Sequence, residues 1–275
     1  MSTSSAASTA CNRSTAVPSP ARRWRSGRWL LALFCLTAAG PAAAESGCLS
    51  PATQTIALRH VHDGDTVKRA DGESLRLIGI DTPELARDDR PAEAGARRAR
   101  ERLRAIVANA DTLRVRYGAE RRDHYGRLLG HLYADDVNIQ AELLRAGLAT
   151  PLTIAPNLGH RDCYRAAARQ AREQRRGLWA LPAYQPQPAA ALPADTRGYR
   201  VVTGTVQRVG HSRCCIWLNL TEDVALRIAR DDSSRFGITD WDALVGQRLE
   251  ARGKIYRRSG QLRLTLSHPD AWTLY

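Results

Sequence analysis

Apolar and polar residues alternate over 54–61 (QTIALRHV), a period of two that predicts a half-buried strand. Asp63-Gly64 then predicts a turn. Residues 65–69 and 74–80 predict two further strands around a second turn at Ala70-Asp71-Gly72. The period changes in 91–110, where Ala96, Ala99, Leu103, Ile106 and Val107 fall on one side of a helix. Strands are predicted again at 112–117 and 128–133. Asn138 is placed to cap a short helix that Gly147 ends, and a basic helix runs from about Asp162 to Arg176 before Gly177.

Three strands, a helix and two strands are the order of a five-stranded OB-type barrel, here with two more helices packed beside it. Residues 183–197, rich in Pro and Ala and without a hydrophobic period, predict a semi-rigid linker. Beyond it the order is similar: strands at 199–208, 213–220 and 224–229, a helix near 239–246, then strands at 248–256 and 261–266 around Ser259-Gly260. The expected fold is therefore mainly β with helices, of the α+β kind. A first OB-fold barrel with its helices spans 45–182, and a second, smaller OB-like barrel spans 198–275.

The N-terminus changes this picture. A charged stretch at 21–28, the apolar WLLALFCLTAAG (29–40) and PAAAES (41–46) have the order of a signal peptide cleaved after Ala44. The apolar run is short for a membrane span. An exported protein is expected, periplasmic or secreted, without stable membrane insertion after cleavage, and no protein partner is implied. Four cysteines then remain, Cys48, Cys163, Cys214 and Cys215. An even count in an exported chain favours disulfides, with the pairing left open, and the lack of a Cys-x-x-Cys pair argues against zinc. The formal net charge of +13 falls to +8 when the five arginines of residues 1–44 are removed. The basic excess points to a polyanionic partner or to a basic surface kept for solubility.

Against that excess, residues 62–84 (HDGDTVKRADGESLRLIGIDTPE) gather six acids. Asp71-Gly72 needs no more than a turn. Asp65 is different, because it opens one strand while Asp81 closes the next. In an antiparallel hairpin those two ends lie side by side. Two close carboxylates repel unless a proton or a cation lies between them. A hard cation with oxygen ligands, Ca²⁺ or Mg²⁺, answers that need without Cys or His. Arg76 stands in an otherwise apolar run, where it calls for an acidic partner or a phosphate. Arg127 precedes a strand that could neighbour that run. Two guanidiniums facing a metal-bearing acid pair form a phosphate site.

DGDT (63–66), LRLIGIDTPE (75–84), DHYGR (123–127), AELLRAGLA (141–149) and RRGLW (175–179) together resemble the thermonuclease family, of staphylococcal nuclease type. The resemblance covers about 50–180, in consistent order. It implies an OB-fold enzyme that cleaves DNA and RNA with Ca²⁺ and leaves a 3′-phosphate end. It implies that Asp65 and Asp81 ligate the metal with the Thr82 carbonyl. Glu84 would orient or deprotonate the attacking water, Arg76 and Arg127 would hold the phosphate in its transition state, and His124 and Tyr125 would meet substrate. The sequence departs from the family at Leu152 and Ile154, where the prototype has tyrosines, and at His124, where it has a lysine.

Two features stay open. The arginines of the basic helix either face solvent or track phosphates. Trp217, Trp241 and Trp272 either fill a core or stack bases. The C-terminal segment is similar to OB-like appendages found after nuclease domains. The alternative to an enzyme is a noncatalytic nucleic-acid-binding protein on the same scaffold. A binder of anionic envelope polymers explains the charge but not the placed acids and arginines.

Overall fold

The computed structural model describes residue 48, residues 54–88 and residues 90–275. The expected signal segment and its cleavage point lie outside the described residues. The strand expected over 54–61 is interrupted at Ile56-Ala57, giving β1 (Gln54–Thr55) and β2 (Leu58–Val61). β3 (Thr66–Arg69) and β4 (Ser74–Leu77) pair as the expected hairpin, with Thr66 opposite Arg76. β5 (Ile80–Asp81) leaves that sheet at Gly79, whose φ is +85°. A side chain there would also run into the Tyr164 ring, so the kink needs glycine on two counts.

α1 (Ala96–Ala108) starts later than the pattern predicts because Gly95 holds a left-handed backbone at its N-terminus. Its Ala96, Ala99 and Leu103 are buried, as the periodicity requires. β6 (Leu113–Arg122) and β7 (Leu128–Ala134) follow, then β8 (Val137–Asn138). Asn138 caps α2 (Ile139–Arg145) by accepting from Ala141 N at 2.9 Å, and Gly147 ends it at φ +66°. β9 (Thr150–Pro151) pairs with β5, and α3 (Arg161–Glu173) packs on α2. The first core lies between this sheet and the three helices, with Leu75, Leu77, Leu103, Leu132, Leu143 and Tyr164 at its centre.

Residues 183–197, expected as a linker, bury Tyr184 and Ala189 and contribute β10 (Pro186–Pro188). β11 (Gly198–Thr205), β12 (Arg208–His211), β13 (Cys215–Asn219) and β14 (Val224–Ala229) follow. After the short α4 (Arg230–Ser233) come β15 (Arg248–Arg258), β16 (Gln261–Leu266) and β17 (Trp272–Leu274). The helix expected near 239–246 is only a 3₁₀ turn at Asp242–Leu244, because Val245 is already extended and Gly246 turns to φ +86°. Trp241 and Trp272 belong to the second core, which resolves their reading. Trp217 does not: it is half-buried, with the Arg263 guanidinium 4.6 Å over its ring.

The expected barrels are not formed. The first sheet is an open path, β1-β6-β7-β4-β3-β2, with β8 added on β7. Closure requires the two edge strands to pair with each other. Here the edges are β1 and β2, and no ladder joins them among the described residues. The second sheet, β10-β11-β15-β16-β14-β13-β12 with β17 on β15, is also open. Its β10 edge carries Pro186 and Pro188, which have no N–H to offer a further strand. The α+β character holds, and the architecture is two open sheets plus the small β5-β9 pair.

The described residues belong to one compact unit. A third cluster, Ala171, Leu178, Trp179, Tyr184, Tyr199 and Val201, joins α3 to β11. Beside it Glu250 on β15, which is buried, accepts two bonds from Arg172, at 2.8 and 2.9 Å. Asp270 accepts from Arg161 Nε at 2.7 Å and from Thr153 Oγ1 at 3.0 Å. Arg165 also reaches Asp270, at 3.3 Å. Much of the basic face of α3 is thus turned to acids of the C-terminal segment, which neither reading of that helix anticipated.

Candidate active site

The site begins with a packing constraint at Gly64. A Cβ there would lie 2.7 Å from Thr82 Oγ1 and 2.8 Å from Ala99 Cβ. The loop between β2 and β3 therefore sits directly on Thr82 and on α1, and only glycine admits that approach. Asp63 Oδ1 accepts from Asp65 N at 3.0 Å, which closes the turn and aims Asp65 inward. Asp65 is buried, and its Oδ2 accepts from Thr82 N at 2.8 Å and Thr82 Oγ1 at 2.9 Å.

Arg76, from β4, lies against the same group. Its guanidinium pairs with Asp65 Oδ1 and, at 3.3 Å, with Asp81 Oδ1. It also donates to the carbonyl of Ile80 at 3.2 Å, so it spans the kink at Gly79. That kink carries Asp81 and Thr82 back over the start of β3, and Thr150 Oγ1 on β9 steadies the Asp81 carbonyl at 3.3 Å. Burial raises the Asp81 carboxyl above its ordinary range, the charges of Lys254 and Arg76 oppose this, and Asp65 adds to it. Burial, helped by Asp65, raises Asp63 as well. For Arg76, burial works against the charge, but Asp65 and Asp81 outweigh it and the guanidinium is held more firmly protonated.

The structure thus brings Asp65, Asp81, Thr82 and Arg76 together, with Glu84 at the rim. Arg127 is placed differently. It lies one residue before β7, the strand that pairs with β4, and its Nε donates to Asp123 Oδ2 at 2.7 Å. His124 and Tyr125 are exposed in the turn before it, their rings 3.7 Å apart, and the Arg127 guanidinium is 5.4 Å from the Tyr125 ring. Ile154, at one of the two positions that depart from the family pattern, is exposed, while Leu152 bonds through its N–H to the Gly79 carbonyl at 3.1 Å. The Cα atoms of Cys48 and Cys163 are 5.7 Å apart, within the span of a disulfide.

One residue of the site was not anticipated. Lys254, on β15, places its Nζ 3.0 Å from Asp81 Oδ2 and 3.0 Å from Glu84 Oε1. Burial alone would lower its pKa, but the attraction of Asp81, then of Glu84, outweighs this and raises it. In sequence Lys254 reads as an outward position of an ordinary strand. The only hint is compositional: of 41 basic residues in the chain, Lys68 and Lys254 alone are lysines.

The donors expected from the sequence, the Asp65 and Asp81 carboxylates and the Thr82 carbonyl, are hard oxygens, which would suit Ca²⁺ or Mg²⁺ and not a thiophilic metal. Among the described residues no cluster of three or more His, Cys, Asp or Glu side chains is assembled for a metal. The position between Asp81 and Glu84 nonetheless holds a cation, the Lys254 ammonium. The residues fit a bound cation, and a metal there would share the carboxylates with that ammonium.

Residues 74–181 match the family model of staphylococcal nuclease homologues. That segment is a thermonuclease-like domain. The region C-terminal to it lies outside the match. The chain is similar to the thermonuclease of Staphylococcus hyicus, 29% identical over 154 residues, which cover 54% of this chain and 89% of that one. It is similar to the thermonuclease of Staphylococcus intermedius, 29% identical over 129 residues, covering 46% and 76%. Endonuclease YncB of Bacillus subtilis is 29% identical over 134 residues, covering 47% and 63%. These likenesses support a nuclease-type activity at the level of the family. Among the described residues no helix is long and apolar enough to cross a membrane.

Proposed function

We propose that the protein is an exported, calcium-dependent endonuclease that hydrolyses phosphodiester bonds of DNA and RNA. The observation that carries this reading is the convergence of Asp65, Asp81 and Arg76 around Thr82, with Glu84 at its open edge. In this reading Asp65, Asp81 and the Thr82 carbonyl hold the metal. When bound, the metal supplies Lewis-acid stabilisation of charge on a phosphate oxygen.

The protein's own groups do the rest. Glu84 has an exposed carboxylate with Oε1 on Lys254 Nζ, and in this reading its other oxygen orients a water or takes its proton. Arg76 stays protonated beside the acids and offers donors to a phosphate that reaches the rim. Arg127 meets the same phosphate after turning from Asp123, with which it makes a single side-chain bond. His124 and Tyr125, exposed beside it, contact a flanking nucleotide. The N-terminal pattern supports export, and the Cys48–Cys163 approach supports a disulfide suited to an oxidising compartment. In this reading 45–182 is the nuclease domain, 198–275 an accessory domain and 183–197 the joint between them.

One observation favours the second reading, a noncatalytic nucleic-acid binder: Lys254 already neutralises part of the acid pair. Incubation with circular plasmid and single-stranded DNA under Ca²⁺, Mg²⁺ or chelator decides between them. The enzyme reading expects Ca²⁺-dependent nicking, abolished by chelator and reduced about 100-fold or more in Glu84→Gln. Salt-sensitive binding without cleavage under every metal overturns it.

A further inference from the structure

Lys254 comes from outside the matched segment, yet it touches two acids of the site. Its placement is not incidental to a loose surface. β15 pairs with β11 along eight residues, Tyr199 lying opposite Lys254, and Tyr199 is buried against Tyr184 and Trp179. Two positions earlier on the same face of β15, Arg252 bonds Glu250, and Glu250 takes both bonds from Arg172 of α3. The strand that carries Lys254 is thus anchored to the nuclease segment through the Tyr199 cluster and through Glu250. The ammonium is delivered to Asp81 and Glu84 by a rigid scaffold.

The chemistry at that position is specific. A buried carboxylate pair needs a compensating cation, and Arg76 supplies only part of it, because it also serves Asp65. An ammonium is a compact point charge, closer to a metal ion than the planar guanidinium used at nearly every other basic position of this chain. Both oxygens of Asp81 face it, at 3.1 and 3.0 Å. A divalent ion binding through Asp81 has to take one or both of those oxygens.

We propose that Lys254 is a further residue of this nuclease site: a tethered cation that competes with the divalent metal for Asp81 and so sets the metal affinity. The inference rests on the reading that Asp65 and Asp81 hold the metal. A tethered group acts at an effective concentration in the millimolar range or above, set by the rigidity of its mount. The metal therefore binds against a standing competitor. Once displaced, the ammonium remains beside Glu84, where it holds that carboxylate toward the site. Lys254 acts through Asp81 and Glu84, and is a positioning residue rather than a catalytic one.

The test is calorimetric titration of Ca²⁺ alone into the full chain, comparing wild type, Lys254→Met and Asp270→Asn. Asp270→Asn weakens the contact of the C-terminal segment with Arg161 and Arg165 without touching the acids, and so controls for general loosening. Thermal unfolding of each variant verifies that it is folded. The expected result is Ca²⁺ affinity about tenfold or more tighter in Lys254→Met and unchanged in Asp270→Asn. Unchanged or weaker affinity in Lys254→Met overturns the proposal, as does equal tightening in both variants. Plasmid cleavage by wild type is measured beside it. Cleavage with no gain of affinity in Lys254→Met removes this inference alone. Neither cleavage nor Ca²⁺ binding in any variant removes the nuclease reading, and this inference with it.

Discussion

Replacing Arg76 by Met removes the guanidinium that touches both Asp65 and Asp81. Asp65 then keeps its two bonds from Thr82 but loses its cation, while Asp81 keeps Lys254. Breaking a buried ion pair by removing one partner costs about 3–5 kcal/mol. The surviving Lys254 contact and the partial exposure of Asp81 place this case near the lower end, at about 3 kcal/mol at pH 7. The pH dependence has a definite sign. Asp81 is already raised, chiefly by burial, and losing Arg76 raises it further. An acid with a raised folded pKa is destabilising while ionised, and protonation relieves it as pH falls through that pKa. In wild type Arg76 opposes that rise, so the same carboxyl is raised less than in the variant. The stability gap between the two proteins therefore narrows with acidification. Urea unfolding followed by tryptophan fluorescence, with chelator present, measures it at pH 7 and pH 4.5. A gap below about 0.5 kcal/mol at pH 7, or one that widens on acidification, refutes the reasoning.

Gly64→Ala forces a methyl against Thr82 and Ala99 and is expected to cost about 1–3 kcal/mol and to lower cleavage by displacing Thr82. Gly72→Ala, in the other Asp-Gly turn, meets nothing within 4 Å and bears only the strain of φ +88°, so it should cost about 1 kcal/mol and leave cleavage intact; unfolding curves and plasmid assays on both variants check the contrast. Burial, with His160 and Arg116 adding to it, lowers the His131 pKa to about 3. The folded state then binds fewer protons than the unfolded one below the ordinary histidine pKa, so His131 withdraws about 2.5 kcal/mol of stability between pH 7 and pH 4.5, seen as a smaller acid loss in His131→Gln.

The reach of sequence reading differs from residue to residue. Asp65 and Asp81 were expected together because one hairpin joins them; the register Thr66–Arg76 follows from the turn between β3 and β4, but it sets Asp65 beside Leu77, and the kink at Gly79 is what returns Asp81 to Asp65. The cap at Asn138 and the stop at Gly147 were legible for the same local reason. Gly64 was read as a turn residue, and its deeper role, the approach to Thr82 and Ala99, depends on a helix more than thirty residues on. The barrels failed because strand order does not say whether edges meet. No ladder joins the edges β1 and β2 among the described residues, and Pro186 and Pro188 close off the other sheet's β10 edge.

Periodicity, turn chemistry and the acid–arginine pattern of 62–84 sufficed for most elements of both segments and for the gathering of acids and arginine in 62–84, because each is set by residues close in the chain. The packing of β15 on α3, the burial of Tyr184 and the arrival of Lys254 at Glu84, 170 residues away, were settled only in three dimensions. Outward-facing Arg, Lys and Glu on a strand or helix carry the same pattern whether they meet water or one another. Only the folded chain, by burying Glu250 against Arg172 and Asp81 against Lys254, makes them partners.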